Sequence, residues 1–195
     1  LMEEAGELKG SDPDHRFLID PIDGTTNFMH AVPFFGISVA LQRKDEIIVG
    51  VTYNPITDEL FHSEKGQGAF LNNRRMRVAA RKALTDALVA TGIPHRGRSG
   101  HAENRAEIAM VQAKAVGIRR FGSITLELAY LAAGRIDAFW ERNMKPWDLA
   151  AGMLMVREAG GFCVDIDSDA SPLDTGNILA ANADLAEDLL KDVFR

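Results

Sequence analysis

Sulfur chemistry is the first thing this 195-residue sequence has little of: it holds one cysteine, Cys163. A lone cysteine excludes an internal disulfide framework and suits a reducing compartment. It lies in the apolar run GGFCVDI and reads as a small core residue rather than a nucleophile. No apolar stretch is long enough to cross a bilayer and no signal peptide is visible, so a cytoplasmic location with no membrane partner is expected. An excess of positive charge is also missing. Lys and Arg number 22 against 28 Asp and Glu, a formal net charge of −6, which leaves no general footprint for nucleic acid. The Gly-Gln-Gly at 66–68 lacks the surrounding strand and helix of a nucleotide fingerprint. His95 and His101, six apart in a Gly/Arg-rich loop, lack the spacing and further ligands of a zinc site. What is present is 46% hydrophobic residues, enough to build a sizeable core in one domain or two small lobes.

The densest stretch is Phe17 to Phe28, FLIDPIDGTTNF. Phe17, Leu18 and Ile19 read as the end of a buried strand, with Asp20 where the strand stops. Pro21 fixes its own φ and pushes Asp20 toward an extended conformation, so Asp23 can be aimed back toward Asp20. Two carboxylates held close repel one another and raise one pKa unless a cation lies between them. Magnesium suits such a place, because it takes oxygen ligands from one or two carboxylates together with substrate phosphate. Gly24 permits a positive φ, and the hydroxyls of Thr25 and Thr26 can cap a helix starting there. Exposed N–H groups at such a turn bind anions. A strand end, an Asx turn and a helix cap without chemistry account for the same residues equally well. Asp148 is open in the same way: behind Pro146, in the first turn of a helix, it is either a ligand or an ordinary cap.

Along the rest of the chain, residues 8–16 form a polar loop with His15 exposed, and 27–33 turn the chain. Phe34 to Arg43 reads as a strand with Ile37, Val39 and Leu41 on one face. Ile47 to Tyr53 returns as a hairpin, Glu59 to Ser63 and Gly68 to Leu71 add shorter strands, and Asn72-Asn73 marks a tight turn. The stretch 34–78 is thus an antiparallel meander. Ala87 to Thr91 is a further strand, and Asn104 to Val116 a helix with Ile108, Val111 and Ala115 on one face. Ser123 caps a helix over about 124–133 that ends at Gly134. Gly160-Gly161 ends the helix begun at Pro146, Phe162 to Ile166 and Asn177 to Ala180 are strands, and Ala183 to Phe194 is a closing amphipathic helix.

Asp20 to Phe28, DPIDGTTNF, resembles the first signature of the inositol monophosphatase family, and Pro146 to Gly152, PWDLAAG, resembles its second. Leu1 to Glu7, LMEEAGE, is similar to the acidic segment before the first. The three blocks occur in family order. The resemblance implies an α/β sandwich of alternating helix and sheet layers, usually dimeric, that hydrolyses inositol monophosphate. It implies Mg2+ dependence with two or three ions, and inhibition by lithium. Carried over position by position, the metal ligands are Glu3, Asp20, the carbonyl of Ile22, Asp23 and Asp148. Glu3, Thr25 and Asp20 are the catalytic residues that activate water. Asp23, Gly24, Thr25, Gly122, Ser123, Ile124 and Glu141 meet the substrate, Glu141 accepting hydrogen bonds from its hydroxyls. Ile124 departs from the Ala common at its position, which narrows the pocket. Family members carry some tens of residues before the acidic segment, folded as helices on the core, and the sequence is expected to be a stretch of such a chain. Relatives acting on fructose bisphosphate, histidinol phosphate or 3′-phosphonucleotides leave substrate open. Bacterial relatives that bind the transcription machinery leave a partner role open, for which Arg74, Arg75, Arg77, Arg81 and Lys82 are a basic cluster.

Overall fold

The computed structural model describes residues 1–195 except Ala5, Lys9, Arg96, Arg98 and Arg195. In chain order the elements begin with β1 (His15–Asp23), α1 (Thr25–Met29), β2 (Gly36–Arg43), β3 (Glu46–Asn54), β4 (Glu59–Glu64), β5 (Gly68–Leu71), β6 (Arg74–Arg75) and β7 (Leu88–Thr91). They continue with α2 (His101–Gln112), β8 (Gly117–Arg119), α3 (Ile124–Ala132), β9 (Ala138–Glu141), α4 (Pro146–Glu158), β10 (Phe162–Val164), α5 (Pro172–Thr175), β11 (Ile178–Ala181) and α6 (Ala183–Leu189).

Strands β1 to β6 form the expected antiparallel meander, in sequence order across one sheet. Asn72 and Asn73 turn β5 into β6 with φ of 43° and 65°, the left-handed pair that asparagine tolerates in a hairpin turn. Strand β1 corrects the expectation twice. It runs on through Asp23 instead of stopping at Asp20, with its pairing to β2 shifting register between those two residues; Pro21, which has no N–H to donate, sits inside that irregularity. Phe17, expected inside, is 55% exposed.

The inner face of this sheet buries Leu18 and Phe61, but on β2 it is built from small and polar residues. Gly36, Ser38 and Ala40 of β2 are buried, while Ile37, Val39 and Leu41 lie on the other, less covered face. The three do share a face as expected, and proximity decides that the other face turns inward. A Cβ on Gly50 of β3 would lie 2.8 Å from the carbonyl oxygen of Ala151 in α4, and one on Gly152 would lie 2.5 Å from Leu128 of α3. Backbones that approach this closely have no room for large side chains between them.

Helices α3 and α4 form the second layer. α4 meets β1 to β5 on one side and β10 and β11 on the other, and α3 likewise touches β2, β3, β9 and β11. The second sheet runs β10-β11-β9-β7-β8, with β7 parallel to β8 and β9 and the other pairs antiparallel. On its far side Val111 of α2 and Leu185 and Leu189 of α6 pack with Val89, Trp140 and Leu179. Sheet, helices, sheet, helices is the layered α/β sandwich expected. β8 and α5 were not legible in the sequence. α2 begins at His101, before the expected Asn104, and β10 ends at Val164. The closing helix is α-helical to Leu189, then widens to a π-type turn over Leu190–Phe194. Among the described residues no helix is long and apolar enough to cross a membrane. Cys163 is buried and its thiol is pushed up to about 12 by that burial, which leaves it unreactive.

Candidate active site

The end of β1 delivers two acids into the interior: Asp20 is 2% exposed and Asp23 is 7%. Asp20 accepts the backbone N–H of Ile22 through Oδ1 at 3.0 Å. Asp23 is immobilised through a single oxygen. Its Oδ2 accepts the hydroxyl of Ser123, the N–H of Thr125 and the hydroxyl of Thr125, each at 2.7 Å. Ser123 does stand at the N-cap of α3, but its hydroxyl is spent on Asp23 and makes no cap bond. Thr25 also departs from the expected cap. Gly24, with φ of 94°, is the N-cap of α1, and the Thr25 hydroxyl donates to the Ile22 carbonyl at 3.0 Å. A Cβ on Gly24 would lie 3.1 Å from the Gly122 oxygen and 3.2 Å from that of Phe34, so the turn after β1 and the loop before α3 meet backbone to backbone.

Two further acids arrive from elsewhere in the chain. The segment before β1 is tied along it: the Leu1 amino group donates to Phe17 at 2.6 Å, and the Glu3 N–H donates to Ile19 at 3.2 Å. Glu3 is thereby carried to the level of Asp20, with its side chain exposed. Asp148 is the third residue of α4 and accepts the Lys145 N–H at 2.9 Å. Its capping role is therefore real, and it coexists with proximity to Asp20.

Burial first, then the charges of Asp23, Glu3 and Asp148, push the Asp20 carboxyl up to about 8. Burial likewise raises Asp23, against the downward pull of its bonds from Ser123 and Thr125. No basic residue figures among the causes at either acid. Four carboxylates lining one cavity, with Asp20 raised by the charges of the other three, offer the oxygen donors that a hard divalent cation takes. As the side chains stand, no group of three His, Cys, Asp or Glu among the described residues converges closely enough to hold an ion; uncompensated like charges repel.

The acids line one end of a cavity of about 660 Å³, within the range of small-molecule sites. Ile22, Gly24 and Thr25 continue that end, and Gly122, Ile124 and Glu141 line it farther along. Ser123 does not line it: fully buried behind Asp23, it is a support rather than a contact. His95 and Asn104 also line it, while Arg96 and Arg98, beside His95 in sequence, lie outside the described residues.

Several residues around this cavity escaped the reading of the sequence. Asn27 donates to the carbonyls of Phe34 and Phe121, each at 2.8 Å. Glu127 is 1% exposed and accepts the Phe121 N–H at 2.8 Å; burial, then the Glu141 charge, hold its carboxyl well above the usual range. A carboxylate amid the apolar residues of ITLELAYLA was the available signal. Asn104 and Glu107 of α2, both buried, carried no comparable signal. The basic cluster is exposed and makes local contacts: Arg81 pairs with Asp137 at 3.0 Å, Lys82 with Asp184 at 3.5 Å, and Arg75 lies over the Phe70 ring.

The profile of the inositol monophosphatase family matches residues 1–194. The protein named inositol-1-monophosphatase in Rhizobium meliloti is 52% identical over 195 residues, covering 100% of this chain and 73% of that one. The Escherichia coli K12 protein named Nus factor SuhB is 40% identical over 193 residues, covering 99% of this chain and 72% of that one. The crystal structure of extragenic suppressor protein suhB from Bartonella henselae has a TM-score of 0.96 at 51% identity, over 99% of this chain and 75% of that one. Because the likeness in sequence and in backbone runs from the acidic segment beside β1 to the closing helix, this chain belongs to the inositol monophosphatase family.

Proposed function

We propose that this protein is a Mg2+-dependent phosphomonoesterase that hydrolyses an inositol monophosphate to inositol and phosphate. The observation that carries the reading is the gathering of Glu3, Asp20, Asp23 and Asp148 at one end of a single cavity, with Asp20 forced up to about 8 by burial and by the other three. Glu3, Asp20, the Ile22 carbonyl, Asp23 and Asp148 would hold the ions, two or three in number. Bound there, Mg2+ supplies charge neutralisation for the phosphoryl group and makes water more acidic.

The chain's own residues do the rest. Glu3, exposed at the cavity end, takes a proton from the attacking water, and the Thr25 hydroxyl orients that water. Asp23, locked by Ser123 and Thr125, cannot swing away as charge develops. Gly122 and Ile124 bound the ring of the alcohol, and Glu141 accepts hydrogen bonds from its hydroxyls. Ile124 restricts that region more than Ala would, favouring a single ring over larger substrates. In-line attack on a phosphomonoester needs no covalent enzyme intermediate. The homodimer belongs to the same reading and rests on family resemblance, and the cytoplasmic location rests on the single cysteine and the lack of a long apolar stretch in the sequence.

The deciding experiment is phosphate release from inositol 1-phosphate by the intact protein with Mg2+, with EDTA, and with added lithium. Turnover that needs Mg2+ and is suppressed by lithium is expected. If the folded, Mg2+-supplied protein releases nothing from it, nor from fructose bisphosphate, histidinol phosphate or a 3′-phosphonucleotide, the reading fails. A second reading, a partner-binding role, draws on the E. coli relative named Nus factor SuhB. Arg75, Arg81 and Lys82 make local contacts with Phe70, Asp137 and Asp184 and keep exposed side chains, and no contact of theirs among the described residues points to a partner.

A further inference from the structure

Helix α2 buries polar side chains where a helix that served only packing would bury apolar ones. Asn104 is 8% exposed and Glu107 is 5%, and three residues apart they share one face of the helix. Burying such groups is costly unless each finds partners. The partners they find all surround one residue. Glu107 accepts the Trp140 indole N–H through Oε2 at 3.0 Å and the Arg142 Nε through Oε1 at 2.7 Å; Trp140 and Arg142 are the neighbours of Glu141 on either side. The Thr91 hydroxyl donates to the Trp140 carbonyl at 2.8 Å, and Asn104 donates to the Gly92 carbonyl at 3.0 Å.

Gly92 completes the arrangement. Its φ is not in the left-handed region, so backbone freedom does not explain a glycine there. Space does: a Cβ on Gly92 would fall 1.8 Å from Oε1 and 2.3 Å from Oε2 of Glu141. β7 and β9 lie side by side, Thr91 opposite Trp140, so the next residue along each strand brings Gly92 against Glu141. Gripping residues 140 and 142 from α2 therefore fixes the backbone that carries Glu141, in the wall of the cavity that all of these residues line.

We infer that Asn104, Glu107 and Gly92 are positioning residues that set the Glu141 carboxylate, and that through it they determine selectivity for phosphate esters of polyhydroxylated rings over esters without hydroxyls. This rests on the reading of Glu141 given under Proposed function. The Asn104–Gly92 bond holds the β7 end at the distance Glu141 needs, and the Glu107 pair of bonds holds the β9 end.

The test measures kcat/KM of the intact Mg2+-supplied protein for inositol 1-phosphate and for 4-nitrophenyl phosphate. Wild type, Gly92→Ala, Glu107→Gln, Glu141→Ala and the Gly92→Ala/Glu141→Ala double variant are compared. The ratio of the two constants is expected to fall about ten-fold or more in Gly92→Ala and in Glu107→Gln, since displacement of a substrate-positioning group by a fraction of an ångström is costly. In the Glu141→Ala background, adding Gly92→Ala is expected to change the ratio by less than about two-fold, because coupled residues are not additive. Should Glu107→Gln fail to fold, Gly92→Ala, which removes no hydrogen-bonding group, carries the test. A ratio kept by the single variants overturns the inference alone. So does a fall on Gly92→Ala that is as large without the Glu141 carboxylate as with it. A wild type that hydrolyses the aryl ester but not inositol 1-phosphate overturns the substrate reading and this inference with it.

Discussion

Asp20 is held in an environment that suits a protonated acid, yet the proposed chemistry needs it ionised. Its folded pKa of about 8 stands against an ordinary 3.8. Between those values the folded chain keeps a proton that the unfolded chain has released. Its contribution to stability is therefore complete below pH ~4 and is lost as pH rises toward ~8. In chelator, the thermal midpoint should fall as pH is raised from about 5 to about 8; saturating Mg2+ should flatten that decline, since a cation among the acids favours their charged form. A chelated protein whose midpoint is unmoved over this interval would show that the acids do not strain one another. Substitution makes the same point from the other side. Asp20→Asn keeps an oxygen for the Ile22 N–H and removes the charge, so the chelated variant should melt above wild type while Mg2+-dependent turnover is lost. Asp148→Asn should lose turnover too. Retained turnover in either would remove that residue from the ion site.

At the scale of elements, function depends on how closely α4 lies on the first sheet. Gly50 meets the Ala151 backbone, which cannot swing aside as a side chain can. Gly50→Ala should therefore push α4 outward, at a cost of roughly 1–3 kcal/mol typical of overpacking. Asp148, in the first turn of that helix, would move with it, so the Mg2+ concentration for half-maximal turnover should rise. Gly10→Ala is the control, because nothing lies within 4 Å of a Cβ there. Equal denaturation midpoints and Mg2+ dependence for the two variants would refute the argument.

This contact also explains which features were legible in the sequence. The meander, its Asn-Asn turn and the helices after Ser123 and Lys145 are local, written in turn residues and periodicity. The two faces of β2 were legible from alternation, but which one is inside was not, because the helices approach too closely there for Ile37, Val39 and Leu41 to turn inward. Asp20 and Asp23 stood out by spacing around a proline. Asp148 could not be separated from an ordinary cap by position, and its bond to the Lys145 N–H shows why: it is one. Glu3 was identifiable only through family resemblance. Asn104 and Glu107 were invisible because their partners, Gly92, Trp140 and Arg142, are assembled by the tertiary fold.

Across the whole molecule, the four acids come from three separate parts of the chain: the segment tied beside β1, the irregular end of β1, and the start of α4. α4 in turn touches both sheets. An ion held by all three parts would bind the folded state and have no comparable site in the unfolded chain, so its binding is a contribution to folding. At a Mg2+ concentration about 100 times the dissociation constant this amounts to ~2.7 kcal/mol. For a chain of this size, where ~1 kcal/mol shifts the midpoint by roughly 2–4 °C, the midpoint in Mg2+ should lie about 5–10 °C above that in EDTA. The shift should saturate with Mg2+ concentration and shrink in Asp148→Asn, which removes the ligand contributed by α4. Scanning calorimetry of both proteins across a Mg2+ series measures this directly. A wild-type midpoint indifferent to Mg2+ would mean that the acids share a cavity without forming an ion site, and the proposed hydrolysis would lose its physical basis. A shift undiminished in Asp148→Asn would instead locate the ion between Glu3 and the end of β1, and leave α4 with the capping role alone.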